Sequence, residues 1–156
     1  RKTLVSFNSG IFDQLKDLSS SPYIEHSIIV IQLKSEHYNL YSIGNENHRF
    51  RIIWRAVNHN TIRATGADTA VIALIKDTQE ITYRAIENGK ISPTHSIKAK
   101  VGDAIVWRNK NGYYAITKIK SIKASSTEDT IDSFEIEYFL LKSPLGESID
   151  QSTIQQ

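Results

Sequence analysis

A chain of 156 residues, 40% hydrophobic and 23% charged, is the size of one domain and can bury a real core without staples. That composition excludes a mostly disordered chain, and the absence of cysteine excludes disulfide scaffolds, thiolate zinc sites and cysteine nucleophiles. The longest apolar run, Ile28-Ile29-Val30-Ile31, is far short of a membrane span, so no membrane partner is expected.

In chain order, Lys2 to Phe7 reads as an edge strand, and Asn8-Ser9 can cap a short helix over Ile11 to Leu18, with Phe12, Leu15 and Leu18 on one stripe. Ile24 to Leu33 is apolar on both faces, the pattern of a central strand. Tyr38 to Ile43 follows, then a turn at Gly44-Asn45-Glu46-Asn47. From His48 to Val57 both the helical and the alternating period fit, and the strand is preferred. Further strands fit Ala70 to Ile75, Ile81 to Ile86, Ser96 to Val101, Ala104 to Arg108, Tyr113 to Ile122 and Phe134 to Leu141. Asp77-x-x-Glu80 with Gly89 behind it also suits a helix with a capping box, so Ile81 to Ile86 stays open between the two. Glu87-Asn88-Gly89-Lys90 reads as a turn, and Asn109-Lys110-Asn111-Gly112 as the loop of a hairpin, since Asn-Gly supplies positive φ. Phe134, Ile136, Tyr138 and Leu140 alternate with Glu135 and Glu137 as in a half-buried strand. The 23 Ile, 11 Thr and 7 Tyr against 9 Leu favour sheet, because branching at Cβ suits a pleated surface. The expected fold is a single mainly-β domain over residues 1–142, a partly open β-barrel or curled antiparallel sheet with one short N-terminal helix, followed by a polar tail over 143–156.

The formal charge of +2 conceals a segregation. Residues 1–47 carry −1, residues 48–123 carry +9 (14 basic, 5 acidic) and residues 124–156 carry −6. Such asymmetry points to a polyanionic partner. On a strand, Arg49, Arg51 and Arg55 share a face at multiples of about 6.6 Å, close to the spacing of phosphates along a nucleic-acid strand, and guanidinium binds phosphate bidentately. Arg63 adds to them, and Lys98 with Lys100, like Lys118 with Lys120, fall at i, i+2. At the hairpin, Arg108, Asn109, Lys110, Asn111 and Tyr113 mix charge, amide and a planar ring, the side chains that read base edges. The plainer interpretation of alternating cations is a solvated face, or one covered by the acidic C-terminal segment. Trp54 and Trp107 read as core residues with satisfied indole N–H groups.

Catalytic motifs are absent. The seven glycines are separated by at least nine residues, so no Gly-rich phosphate loop can be written, and neither Gly-x-Ser-x-Gly nor His-Glu-x-x-His occurs. His26, His37, His48 and His59 recur every eleven residues through dissimilar segments, a coincidence; only His59, between two asparagines, invites testing as a general base. Glu128, Asp129, Asp132, Glu135 and Glu137 could hold Mg²⁺ or Ca²⁺, although the first three suit a solvated loop. The sequence therefore leads to a non-catalytic module for nucleic acid, duplex DNA first, without cofactor or metal. It could be the recognition domain of a larger enzyme, since the chain starts at Arg1 and lacks methionine. A protein-interaction module of inhibitor or immunity type, using the acidic 124–156 segment or a strand edge, is the alternative, and a metal-dependent nuclease the third. Intracellular location is the default expectation.

Overall fold

The computed structural model describes residues 3–6, 23–33, 39–76, 80–82, 96–126 and 130–142, with only the backbone for 3–6 and 80–82. The expected helix at 11–18, the turn at 87–90, residues 83–86 of one expected strand and the 143–156 tail lie outside them. Among the described residues eleven strands are formed: β1 (Thr3–Ser6), β2 (Tyr23–Gln32), β3 (Leu40–Ile43), β4 (Phe50–Asn58), β5 (Thr61–Ala67), β6 (Thr69–Ile75), β7 (Glu80–Thr82), β8 (Ser96–Ala99), β9 (Ala104–Asn109), β10 (Tyr114–Ala124) and β11 (Ile131–Leu141). A single 3₁₀ turn, Glu46–His48, accompanies them among the described residues. None of these residues forms a helix long and apolar enough to cross a membrane.

The strands form antiparallel sheets, not a closed barrel: five strands in the order β2-β11-β10-β9-β6, four in the order β3-β4-β5-β8, and the pair β1-β7. The two larger sheets pack face to face. Phe50, Ile52 and Trp54 from β4 and Ile62 and Ala64 from β5 meet Ile105, Trp107, Ala115, Ile119, Phe134, Ile136 and Leu140 from the other sheet. Trp54 stands edge-on to Phe134 (5.1 Å between ring centroids) and to Trp107 (6.4 Å), geometries worth about 0.5–1.5 kcal/mol each beyond the area they bury. The Trp107 indole N–H donates to Thr117 Oγ1 at 3.0 Å. Both tryptophans are core residues, as their sequence context predicts.

Two glycines make the corners. Gly44 takes φ +75°, and a Cβ there would stand 2.0 Å from the His48 carbonyl oxygen. At Gly66 a Cβ would come within 1.8 Å of the Thr69 carbonyl oxygen, because the chain doubles back through Asp68 (φ 63°) to carry β5 of one sheet into β6 of the other.

Three expectations change. The long apolar strand β2 lies at the edge of its sheet and not at its centre; its alternate apolar positions Ile24, Ile28 and Val30 are about half exposed. The strand β5 was not predicted, because Thr, Arg and Ala hide its alternation, although Asn58-His59-Asn60 ahead of it carries a turn signal. Finally, β11 is buried on both faces over much of its length: Glu137 and Phe139, which turn away from the other sheet, are as inaccessible as Ile136 and Leu140.

Candidate nucleic-acid interface

Alternation along β4 buries Phe50, Ile52 and Trp54, and so turns Arg51, Ile53 and Arg55 outward. On β5 the same alternation buries Ile62 and Ala64 and turns Arg63 outward; on β8 it buries Ala99 and exposes Lys98. Register then decides which of these cations are neighbours. Arg55 lies opposite Arg63, and Arg63 opposite Lys98, in one row across three strands. Like charges directly opposed in a sheet repel. Among the described residues no carboxylate lies within ion-pair distance of Arg55, Arg63 or Lys98. The Arg63 guanidinium instead donates to Ser96 Oγ at 3.2 Å. Arg51 sits four residues from Arg55 on the same face, about 13 Å along the strand, and meets Asp68 at 3.3 Å.

Each end of this face opens into a shallow cleft. One, of about 270 Å³, is lined by Arg49, Arg51, Lys110 and Asn111 together with Glu46 and Asp68. The other, of about 320 Å³, is lined by Lys76, Lys98, Lys100 and Asp103 with Val57 and Asn58. Asp103, nearly buried, takes the Lys100 N–H at 3.0 Å and the Lys76 ammonium at 3.4 Å. In this way Asp103 orders the turn that follows β8.

The hairpin forms as predicted, with Gly112 at φ 87° and the Asn109 N–H donating to the Tyr113 carbonyl at 2.9 Å. Its expected readers part company. Lys110 and Asn111 stay exposed at the tip. Asn109 is buried: its amide donates to the carbonyls of Asn47 (2.8 Å) and Arg49 (3.0 Å), and its Oδ1 accepts from the N–H groups of Asn111 and Tyr113. This side chain clamps the hairpin to the segment leading into β4 and cannot also read a base. Tyr113 is half-buried against the His48 ring, 4.1 Å away, and Arg108 is exposed on the five-stranded sheet, facing away from the row.

Lys118 and Lys120 are separated from the arginines altogether. They lie on β10, on the face of the five-stranded sheet turned away from β4, with Lys118 opposite Glu137 in register. Lys118 is 8% exposed and Glu137 is fully buried. The Glu137 carboxylate accepts from His26 Nε2 at 2.5 Å and lies 3.4 Å from the Lys120 ammonium. A buried carboxylate opposite Lys118 and within reach of the exposed Lys120, invisible in local spacing, makes this a self-neutralised charge cluster. The same finding corrects the metal expectation for Glu137, whose carboxylate is committed to its own sheet. Asp132 is exposed, residues 127–129 lie outside the description, and His59 is exposed in the β4–β5 turn. No group of His, Asp and Glu suited to a metal occurs among the described residues.

No protein-family model matches the chain, nor does any curated protein or solved structure. A functional reading must therefore come from the geometry.

Proposed function

We propose that the chain is a nucleic-acid-binding module that holds duplex DNA against the outward face of the β3-β4-β5-β8 sheet. Arg51, Arg55, Arg63 and Lys98 contact phosphates, while Arg49, Lys110 and Asn111 at one end and Lys100 at the other extend the basic surface. The observation that supports this is the row Arg55–Arg63–Lys98, three cations opposed in register without a carboxylate among them. That arrangement raises the folding free energy, and an anionic ligand relieves it. Guanidinium groups bind phosphate through two parallel hydrogen bonds. The exposed tip of the β9–β10 hairpin is left to approach base edges through Lys110 and Asn111.

The test is a titration of a labelled duplex against salt. Four phosphate contacts give a log–log slope of about −3 to −4, and Arg63→Ala should reduce its magnitude by about one. A flat salt response, or no binding at low salt, discards the proposal. Single-stranded DNA and duplex RNA in the same assay define the preferred form.

A further inference from the structure

We infer that the β2 edge is a self-pairing surface, through which two copies of this chain join their five-stranded sheets into one. Natural sheets blunt their edges with short strands, lysine, proline or bulges. Here the edges β3 and β8 have four residues each, the latter carrying Lys98, and the edge β6 has a register shift between Val71 and Ala73. The ten residues of β2 include no Lys, Arg or Pro, and among the described residues no strand pairs with its far side. Ile24, Ile28 and Val30 are 51%, 45% and 52% exposed along it.

The backbone sets the limits of the surface. Leu33 gives its N–H to Asp132 of the partner strand side, whereas Gln32 gives its N–H to the Tyr41 hydroxyl at 2.9 Å. Ladder alternation then turns the N–H and C=O groups of Val30, Ile28 and His26 away from β11. At one end Tyr41 closes the edge; at the other, the register shift that leaves Ile24 unpaired between Tyr23 and Glu25 does so. The open window is His26 to Val30, symmetric about Ile28.

Residues 26–30 include no carboxylate, lysine or arginine, so a second copy of the same strand occupies the window without charge repulsion. A second copy running antiparallel about a two-fold axis at Ile28 pairs Ile28 with itself and His26 with Val30, satisfies every outward backbone group in the window, and brings no like charges together. The contact is isologous and closes as a dimer. With the axis normal to the sheet, the β3-β4-β5-β8 faces of both copies point the same way. On the duplex reading above, and resting on it, the dimer presents two basic surfaces to one DNA molecule.

Because the chain has no cysteine, Ile28→Cys is a clean probe. Paired Ile28 Cα atoms would lie about 5.5 Å apart, within disulfide reach. Under mild oxidation Ile28→Cys should become a covalent dimer at least tenfold faster than a control cysteine at exposed Asn60. Sedimentation of the unmodified chain, in a loading series reaching about 1 mM, should show a monomer–dimer equilibrium that Ile28→Lys abolishes while its circular dichroism is unchanged. A monomer throughout that series, or equal cross-linking at the two cysteines, overturns the inference. If Ile28→Lys fails to fold, the cysteine comparison still decides. Both experiments omit DNA, so their failure leaves the duplex reading standing.

Discussion

The outward faces of the two larger sheets carry cations at the same i, i+2 spacing and use them in opposite ways. Across β4, β5 and β8, Arg55 lies opposite Arg63 and Arg63 opposite Lys98, while Arg51 faces Ala67 and Ser42. On β10 the residue opposite Lys118 is Glu137, a fully buried carboxylate that also meets His26 and the ammonium of the exposed Lys120. One face keeps its charge available to a ligand; the other cancels it inside the protein. The lesson is that a charge pattern along one strand acquires meaning only from the strand hydrogen-bonded to it.

Breaking the neutral cluster should have the largest effect. Glu137→Ala leaves cations buried without their carboxylate and should lower unfolding free energy by about 3–5 kcal/mol in urea titrations. A variant of unchanged stability would mean that the buried face does not depend on this charge balance. Asn109→Ala comes next. It strands the Asn47 and Arg49 carbonyls and two N–H groups of the hairpin, and should cost about 2–3 kcal/mol while loosening the cleft that contains Arg49. On the basic face the sign differs: Arg63→Glu should change stability by less than about 1 kcal/mol, since it replaces two repulsions with attractions. The same change should weaken duplex binding at least about tenfold and flatten its salt slope. Lys123→Ala, on the far part of β10, should leave that slope unaltered.

Alkali sharpens the contrast from the buried side. Burial pushes the hydroxyl pKa values of Tyr23 and Tyr138 up, the latter aided by its hydrogen bond to Glu25 and the charge of that carboxylate. In the unfolded chain both ionise near the ordinary value of 10.0. The folded state therefore holds more protons above that pH, and stability must fall as pH rises past it. Melting temperatures should show no contribution from these groups below pH 10 and a decline above it, less steep in Tyr138→Phe.

β11 was legible because its alternation was clean, β4 only by preferring alternation over a helical period that fits the same residues, and the hairpin loop because Asn-Gly chemistry is local. The edge position of β2 was not: an apolar run on both faces is the same string whether a neighbour strand covers it or a second molecule does. β5 escaped because threonine, alanine and arginine blur the contrast between its two faces. Among the expected site residues, the shared face of Arg51 and Arg55 followed from period two alone, whereas Arg63 joined them only through β5, which was not predicted. The removal of Lys118 and Lys120 from their company, and of Asn109 from the reading surface, depended on partners 19 and 62 positions away.

By itself the sequence determined the class of structure, the positions of most strands, the two core tryptophans and the excess of positive charge in the middle of the chain. These follow from side-chain shape, alternation and turn chemistry, which act over a few residues. Only the tertiary structure decided which cations face one another, which face a buried carboxylate and which strand is left at an edge. Those outcomes depend on register between strands distant in the chain, and a pairing shifted by one residue would send every side chain to the opposite face.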